Sequence, residues 1–269
     1  MRSSQFNYPN NPDHFIEDRK SNHYPHFRNA DWQSKFNLYL IYIKEKKYEK
    51  ALQLSNDVLA INYNYQPALR DKAVILYYLK RSEESLPFIE ESLKQNEKDY
   101  IALNTLGLIY MDLKQYDLAK KIFKKAISIN AQYVPSYNNL GRCYYIDYDR
   151  ESAFINFKKA LDLNPKFLEA INNLANYYNE TGSYEKAIQF YNKALKIEPK
   201  KPELIYNKGL AYFFLGNHKK AEELYKKAYA VIPNDDQLRK NYSMLLLSNL
   251  RFKEAWKLFE GRIGLNEFR

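Results

Sequence analysis

The feature that most constrains the fold of this chain is a sequence repeat with a period of 34 residues. A leucine followed by a small residue recurs at this spacing in the middle of the chain, and a Lys-Gly step continues the series, at Leu106-Gly107, Leu140-Gly141, Leu174-Ala175 and Lys208-Gly209. A tyrosine lies four residues after the first member of each pair, at Tyr110, Tyr144, Tyr178 and Tyr212. Because a fixed period is typical of arrays of one supersecondary unit, we expect the repeats to stack and share a continuous core.

The repeat frame divides the chain into a lead segment and seven repeats. The period extends in both directions without an insertion, so repeats 1 to 7 begin at Trp32, Gln66, Tyr100, Val134, Leu168, Pro202 and Asp236. The first residue of each repeat is position 1. The preceding segment shows no helical period and carries Pro9, Pro12 and Pro25, which predicts extended or disordered chain. We therefore expect a lead segment over residues 1–31 and a repeat domain over residues 32–269.

Each repeat has the hydrophobic pattern of two helices. The i, i+3, i+4, i+7 spacing of one helical face is found in repeat 4 at Tyr137, Leu140, Gly141 and Tyr144. A second stripe of small and aromatic residues follows it, at Ala153, Phe157 and Ala160. Since small residues let neighbouring helices approach closely, the pattern predicts an all-α fold. Pro87 lies inside the second helix of repeat 2 and predicts a kink or a late start of that helix.

The complete signature resembles that of the tetratricopeptide repeat family. It consists of Leu-Gly-x-x-Tyr, then Ala-x-x-x-aromatic-x-x-Ala, and a closing proline at Pro165, Pro199 and Pro233. The resemblance implies a right-handed α-solenoid of about seven helix-turn-helix units, in which the first helices line a concave groove. It also implies a non-enzymatic scaffold that binds an extended peptide segment or a helix of another protein in that groove.

Asparagine is the dominant residue at position 6, on the first helix of each repeat. It occurs there in five of the seven repeats, at Asn37, Asn139, Asn173, Asn207 and Asn241. Because an amide both donates and accepts hydrogen bonds, such a ladder would hold a peptide backbone without reading its side chains. The ladder resembles the one in the repeat arm of O-linked N-acetylglucosamine transferases. Hydrogen bonding between helices of the same chain is the alternative role for these amides.

Further polar side chains are expected in the groove of repeats 4 and 5. They share first-helix positions near the ladder and are Asn138, Arg142, Tyr145, Asn172 and Asn176. Aromatic residues lie to either side of this polar stretch, including Tyr77, Phe213 and Phe214. The sequence therefore predicts a polar groove with apolar ends that binds a protein or peptide partner.

The net charge of +10 raises the question of an anionic partner. Lysines on the second helices fall away from the small and aromatic stripe, at Lys124-Lys125, Lys158-Lys159, Lys193 and Lys226-Lys227. We interpret them as a solvated face, since no aromatic platform of the kind that binds single-stranded nucleic acid is interleaved with them. No apolar run approaches the roughly 18 residues that span a bilayer. The sequence thus predicts a cytoplasmic protein that binds no nucleic acid and does not insert into a membrane.

Catalytic and metal-binding chemistry find little support in the sequence. Three of the four histidines, His14, His23 and His26, lie in the lead segment, and the single cysteine, Cys143, lies beside a packing face. This leaves no pair of nucleophile and base, no set of metal ligands and no glycine-rich phosphate loop. We therefore expect no catalytic residue, no metal and no cofactor.

The end of the chain suggests a second interpretation. The segment LRFKEAWKLFEGRIGLNEFR carries Trp256, Glu260 and Arg262 where junctions between bacterial repeat arms and glycosyltransferase domains have these residue types. By this resemblance, the chain would be the substrate-presenting arm of a glycosyltransferase whose catalytic domain lies elsewhere. Repeat 7 also leaves a packing face uncovered, and self-association or a following domain would cover it.

Overall fold

Every regular element in the part of the chain that the structure describes is an α-helix. The computed structural model describes residues 38–39, 41–61 and 63–263. The predicted lead segment and Asn37 lie outside these residues, as does the end of repeat 7. The prediction of an all-α fold is confirmed for the described residues.

The chain divides into two compact modules, Met1–Tyr148 and Asp149–Arg269. In the N-terminal module, residues 41–44 are helical and belong to the first helix of repeat 1. Six complete helices follow: α1 (Tyr48–Ile61), α2 (Gln66–Tyr78), α3 (Ser82–Gln95), α4 (Tyr100–Asp112), α5 (Tyr116–Ile129) and α6 (Val134–Ile146). The helices α2, α4 and α6 begin at the first residue of repeats 2, 3 and 4.

The C-terminal module, Asp149–Arg269, continues the same frame. Its helices are α7 (Arg150–Leu163), α8 (Leu168–Glu180), α9 (Tyr184–Ile197), α10 (Pro202–Phe214), α11 (His218–Tyr229), α12 (Asp236–Ser248) and α13 (Phe252–Ile263). The helices α8, α10 and α12 begin at the first residue of repeats 5, 6 and 7. The 34-residue period therefore places one helical hairpin in each of these repeats.

Second helices inside each module pack between two first helices. In the N-terminal module α5 packs on α4 of its own repeat and on α6 of the next, and in the C-terminal module α9 packs likewise on α8 and α10. The stripe predicted on the second helices forms the core, since Ala119, Phe123 and Ala126 of α5 are completely buried. A single hairpin could not bury both sides of this helix, so stacking supplies the core.

The glycine in the Leu-Gly step allows the two helices of a repeat to approach closely. A Cβ atom added at Gly107 would lie 2.5 Å from the ring of Phe123, and one at Gly209 would lie 2.9 Å from the ring of Tyr225. Both rings are completely buried. The glycines of repeats 3 and 6 are therefore explained by packing against the aromatic residue of the following helix.

The turn between the two helices has the same backbone conformation in every repeat. Position 15 has a positive φ throughout, at Lys46, Lys80, Lys114, Tyr148, Gly182, Gly216 and Leu250. In six of the repeats, the next residue donates its backbone N–H to the carbonyl five residues earlier, as Gln115 does to Tyr110 and Ser183 to Tyr178. This pattern of a left-handed residue and a six-to-one hydrogen bond is a Schellman motif.

Pro87 does not delay the helix in which it lies. Helix α3 begins at Ser82, which is position 17, where the second helices of the other repeats also begin, and it continues through Pro87 to Gln95. The expectation of a late start is therefore wrong. Proline removes only one backbone donor, and the packing of Ser85 and Ile89, which are completely buried, holds the helix in place.

Candidate functional site

The position-6 asparagines are more deeply buried than a ladder in an open groove would be. Asn139, Asn173 and Asn207 are only 2%, 5% and 6% exposed, and Asn241 is partly buried. A buried amide loses free energy unless it is hydrogen bonded, so the partners of these side chains matter for the fold itself.

In the N-terminal module, the amide of Asn139 bonds to the preceding repeat. Its Nδ2 donates to Oδ1 of Asn104, which is 3.1 Å away, and the Ser136 hydroxyl donates to the same oxygen at 3.1 Å. The Arg142 guanidinium donates to Oδ1 of Asn139 at 3.4 Å. All four residues are buried. Both ends of the Asn139 amide are thus used within the chain, which is the alternative role considered above.

The C-terminal module contains the corresponding bond between repeats 6 and 7. Nδ2 of Asn241 donates to the Tyr206 hydroxyl at 2.6 Å, and Gln237 donates to Oδ1 of Asn241 at 3.2 Å. Asn104 and Tyr206 both occupy position 5, and each accepts from an asparagine 35 residues later. In both pairs a polar residue at position 5 accepts from the asparagine at position 6 of the next repeat. The same two residue types also occur at Asn172 and Asn207, where the Asn172 oxygen accepts no hydrogen bond, so the sequence pattern alone does not identify the bond.

The amides of helix α8 in the C-terminal module have a different environment. Asn172, Asn176 and Asn179 occupy positions 5, 9 and 12, which lie on one face of the helix. The Tyr191 hydroxyl donates to Oδ1 of Asn176 at 2.6 Å. In contrast, Oδ1 of Asn172 and Oδ1 of Asn179 are enclosed and accept no hydrogen bond. These two amides have hydrogen-bonding capacity that the described chain does not use.

Exposed apolar side chains continue this face on the next two first helices. Phe214 of α10 and Met244 and Leu247 of α12 are 52%, 47% and 37% exposed. Met244 and Leu247 occupy positions 9 and 12, the positions of Asn176 and Asn179 in α8, and Phe214 occupies position 13, next to that register. The ring of Phe214 stacks on Tyr184, with centroids 5.6 Å apart. The first helices of the C-terminal module therefore carry unused amides in repeat 5 and exposed apolar side chains in repeats 6 and 7.

The other predicted groove residues in the N-terminal module are buried. Asn138, Arg142 and Tyr145 lie in α6 with little exposed surface. Earlier in the same module, the Arg70 guanidinium donates a hydrogen bond to the carboxylate of Asp99, 2.9 Å away. Burial alone would raise the pKa of Asp99, but the positive charge of Arg70 and hydrogen bonds from Ala102 and Gln66 outweigh burial and lower that pKa. Arg70, like Asn139, therefore makes a hydrogen bond within the chain.

The second-helix lysines are exposed, as the sequence predicted for Lys124, Lys125, Lys158, Lys159, Lys193, Lys226 and Lys227. Two of these lysines lie close to aromatic rings. Nζ of Lys124 lies 5.7 Å from the centroid of the Tyr144 ring, and Nζ of Lys193 lies 4.7 Å from that of Phe190. The spacing on the helix surface brings the rings to the lysines through cation–π contacts. Both rings are partly buried, so they offer little free surface for base stacking.

Reactive groups are sparse among the described residues. Burial raises the pKa of the Cys143 thiol to about 12, which keeps it protonated at neutral pH. No group of three or more histidine, cysteine or acidic residues in the described chain has the arrangement of a metal site. Across the same residues, no helix is both long and apolar enough to cross a membrane.

Comparison with known families identifies the repeat. Residues 37–160 match the family of the psidin N-terminal tetratricopeptide repeat region, and residues 167–234 match a tetratricopeptide repeat family. The repeats of this chain are tetratricopeptide repeats. The predicted fold class, a solenoid of helix-turn-helix units, is confirmed by these matches and by the solved structures described next.

Solved tetratricopeptide structures show the same fold. A chain of the APC/C hetero-tetramer Cut9-Hcn1 is 17% identical with a TM-score of 0.74, and the match covers 79% of this chain but only 42% of that one. TTC0263 of Thermus thermophilus is 26% identical with a TM-score of 0.58, over 68% of this chain and 100% of that one. YrrB, described as having an unusual peptide-binding site, is 21% identical with a TM-score of 0.51, over 73% of this chain and 97% of that one.

A comparison with curated proteins gives no match. The resemblance of the C-terminal segment to glycosyltransferase junctions therefore gains no support. Tetratricopeptide repeat proteins in general are non-catalytic scaffolds for protein interactions.

Proposed function

We propose that this chain is a non-enzymatic scaffold that binds an extended peptide segment of another protein on the first-helix face of its C-terminal module. The observation that carries the proposal is the exposure of Phe214, Met244 and Leu247 on consecutive first helices. Exposed apolar side chains grouped on one face of a protein commonly mark a protein-binding surface.

The unused amides of α8 supply the polar part of the surface. An extended peptide presents alternating N–H and C=O groups, and an asparagine amide can pair with either. The χ2 angle of asparagine has a broad distribution, so the side-chain amides of Asn172 and Asn179 can rotate to direct their oxygens toward a bound peptide backbone. In this arrangement the peptide backbone bonds to α8, while its apolar side chains pack on α10 and α12.

The asparagines at position 6 have a supporting role in this proposal. Asn139 and Asn241 link consecutive first helices through hydrogen bonds. Rigid first helices hold the binding side chains at a fixed spacing, which reduces the entropy lost on binding. The residues proposed to contact the peptide directly are Asn172, Asn179, Phe214, Met244 and Leu247.

Two similar structures agree with a scaffold. The one of YrrB is described as containing a peptide-binding site, and the Cut9-Hcn1 structure is a complex of different chains. Both are below the level of identity at which a shared partner can be inferred, so they support only the class of interaction.

The proposal can be tested with a peptide array followed by fluorescence anisotropy on the peptides that bind. A Met244→Glu and Leu247→Glu double variant should weaken binding by about tenfold or more, since charges would replace the apolar contacts. An Asn172→Ala and Asn179→Ala double variant should lose about 0.5 to 1.5 kcal/mol of binding free energy per lost hydrogen bond. The loss should be similar for different peptide sequences.

Matched controls distinguish this surface from others. Val231→Glu changes an exposed apolar residue outside the first helices and should leave peptide affinity unchanged. A combined Lys124→Glu, Lys158→Glu and Lys227→Glu variant should also retain it. If the lysine variant loses the peptides and the Met244/Leu247 variant retains them, the second-helix face is the binding surface and the proposal is wrong.

A further inference from the structure

Position 7 of the first helix carries a lysine in two of the repeats. Leucine occupies this position in repeats 3, 4 and 5, where it begins the step of leucine and a small residue, at Leu106, Leu140 and Leu174. Lys72 and Lys208 replace it in repeats 2 and 6, and both side chains are partly buried. Because burial removes water from a charged group, a nearby anion stabilises a lysine in this position.

Repeat 2 provides acidic residues for its lysine. Glu84 and Glu91 occupy positions 19 and 26 on α3, the helix that packs against α2 within this repeat. Partial burial and the charge of Arg81 lower the pKa of Lys72, and the charge of Glu84 acts against this lowering. The second helix of repeat 2 thus carries carboxylates that compensate the lysine of the first helix.

Repeat 6 has lysines at the same two positions of its second helix. Lys220 and Lys227 stand there on α11, which packs against α10. Nζ of Lys208 and Nζ of Lys220 lie 5.9 and 5.2 Å from the centroid of one ring, that of Tyr212. Burial lowers the pKa of Lys208, and the charges of Lys220 and Lys227 lower it further. We call Lys208, Lys220 and Lys227 the lysine cluster.

The acidic residues of this region do not neutralise the lysine cluster. None of the ion pairs in the described part of the C-terminal module includes a member of the cluster. Glu222 pairs instead with Lys226 and Arg251, at 2.7 and 2.6 Å. Glu223 lies one turn of α11 from two members of the cluster, but its side chain is exposed to solvent. The cluster therefore concentrates positive charge that the acids of the described module leave uncompensated.

We propose that the lysine cluster is a binding site for a phosphate group. A phosphate monoester carries about −1.5 to −2 charges at neutral pH and has three strong acceptor oxygens, which suit three ammonium donors. Lys208 belongs to α10 and the other two lysines to α11, so the donors come from both helices of one hairpin. Lys220 and Lys227 are exposed, which leaves the cluster accessible from solvent. Inorganic phosphate and small phosphate monoesters share the required chemistry.

This inference goes beyond the proposed function, because it uses none of the residues proposed to contact a peptide. Lys227 belongs to the combined lysine variant that should retain affinity for unphosphorylated peptides. Phosphate binding and peptide binding can therefore fail independently of each other.

The test is isothermal titration calorimetry of the full chain at neutral pH and physiological ionic strength. Inorganic phosphate is titrated in one arm and O-phosphoserine in the other, and the wild-type protein should bind one molecule per chain. A Lys220→Glu and Lys227→Glu double variant reproduces the acids of repeat 2 and should weaken binding by about tenfold or more. The matched control is Lys158→Glu with Lys159→Glu, which makes the same charge change at exposed positions of α7, in a repeat that has Leu140 at position 7. It should bind like wild type.

Two further variants separate binding from folding. Lys208→Leu restores the residue of repeats 3 to 5, so it should raise the midpoint of thermal unfolding while weakening phosphate binding by about tenfold or more. Glu223→Gln removes the carboxylate beside the cluster and should strengthen binding by about twofold.

The two arms also identify the source of the phosphate. Equal affinity for the two compounds supports a site for the free ion, and tighter binding of O-phosphoserine supports a site for a monoester. A wild-type chain that binds neither compound overturns the proposal. An equal loss of binding in the Lys158/Lys159 control also overturns it, because the chain would then attract phosphate only through its overall charge.

Discussion

The two modules share one repeat frame but use it differently on their first helices. In the N-terminal module, Asn104 accepts hydrogen bonds from Ser136 and Asn139, and these buried side chains link one repeat to the next. In the C-terminal module, Asn172 occupies the same position as Asn104, yet its oxygen accepts no hydrogen bond. The comparison teaches that the same residue at the same repeat position can serve the fold in one module and remain unused in another.

Equivalent first-helix positions also differ in solvent exposure between the two modules. Positions 9 and 12 hold Arg142 and Tyr145 in repeat 4, and both are buried. The same positions hold Met244 and Leu247 in repeat 7, and both are exposed. At these two positions, repeat 4 therefore offers a partner little surface, whereas repeat 7 offers two apolar side chains.

The largest expected difference concerns the two equivalent asparagines. Asn104→Ala should lower the free energy of unfolding by about 1 to 3 kcal/mol, because it leaves the buried donors of Ser136 and Asn139 without an acceptor. Asn172→Ala should change it by less than about 0.5 kcal/mol, since no bond to its oxygen is lost. Urea unfolding of the full-length variants measures both. Equal losses at the two sites would remove the distinction between the modules.

The second prediction compares the two packing glycines. Gly107→Ala forces a methyl group against the Phe123 ring and should cost about 1 to 3 kcal/mol from overpacking, offset by up to about 1 kcal/mol of helix propensity. Gly209→Ala should cost less, because the Tyr225 ring would be 2.9 Å rather than 2.5 Å from the new atom. Thermal unfolding monitored by circular dichroism ranks the two variants. A more stable Gly107→Ala protein would show that the Phe123 ring can shift freely.

The third prediction uses the left-handed residue at position 15. Lys114 adopts a φ of 61° in the N-terminal module, while Gly182 adopts 77° in the C-terminal module. Because the left-handed backbone conformation costs an L-residue about 1 to 2 kcal/mol, Lys114→Gly should stabilise the protein by about 1 kcal/mol. Gly182→Lys should destabilise it by a similar amount, since open space surrounds that glycine and only the backbone resists the change. Urea midpoints that move in the same direction for both variants would contradict the assignment.

The smallest effect concerns acid stability. The pKa of Asp99 is lowered from its ordinary value of 3.8, so its charged form stabilises the fold at pH values above 3.8. This contribution is lost as the pH falls through the lower pKa of the folded state. Asp99→Asn should therefore make the free energy of unfolding depend less on pH in the acid range. Asparagine is chosen because its side chain can still cap α4.

Glu222 provides the comparison in the C-terminal module. The hydrogen bond from Lys226 lowers its pKa, burial acts against this, and Arg251 adds a second hydrogen bond in the lowering direction. Its side chain is 17% exposed, against 7% for Asp99, so solvent screens its ion pairs more. Glu222→Gln should flatten the acid profile less than Asp99→Asn does. Urea midpoints measured across the acid range would contradict this if Glu222→Gln had the larger effect.

The sequence determined the helices, their pairing and their core. The 34-residue period assigns the glycine, the tyrosine and the alanine stripe to fixed positions of the repeat. A residue at one of these positions packs against the same positions of the neighbouring helices from one repeat to the next. That is why the starts of α2, α4 and α8 and the complete burial of Ala119 and Phe123 follow from the pattern alone. The pattern contains no sign that Lys114 adopts the same left-handed conformation as Gly182 and Gly216.

Only the tertiary structure decided which polar groups are free. Whether the amide of Asn139 faces a partner or another helix depends on Asn104, which lies 35 residues earlier in the sequence but 3.1 Å away in space. The same holds for the lysines, whose rings come from neighbouring turns and helices rather than from adjacent residues. A repeat pattern specifies backbone position, because packing requires the same small and large residues in each copy. It does not specify hydrogen-bond partners, because these depend on the one or two residues that differ between one repeat and the next.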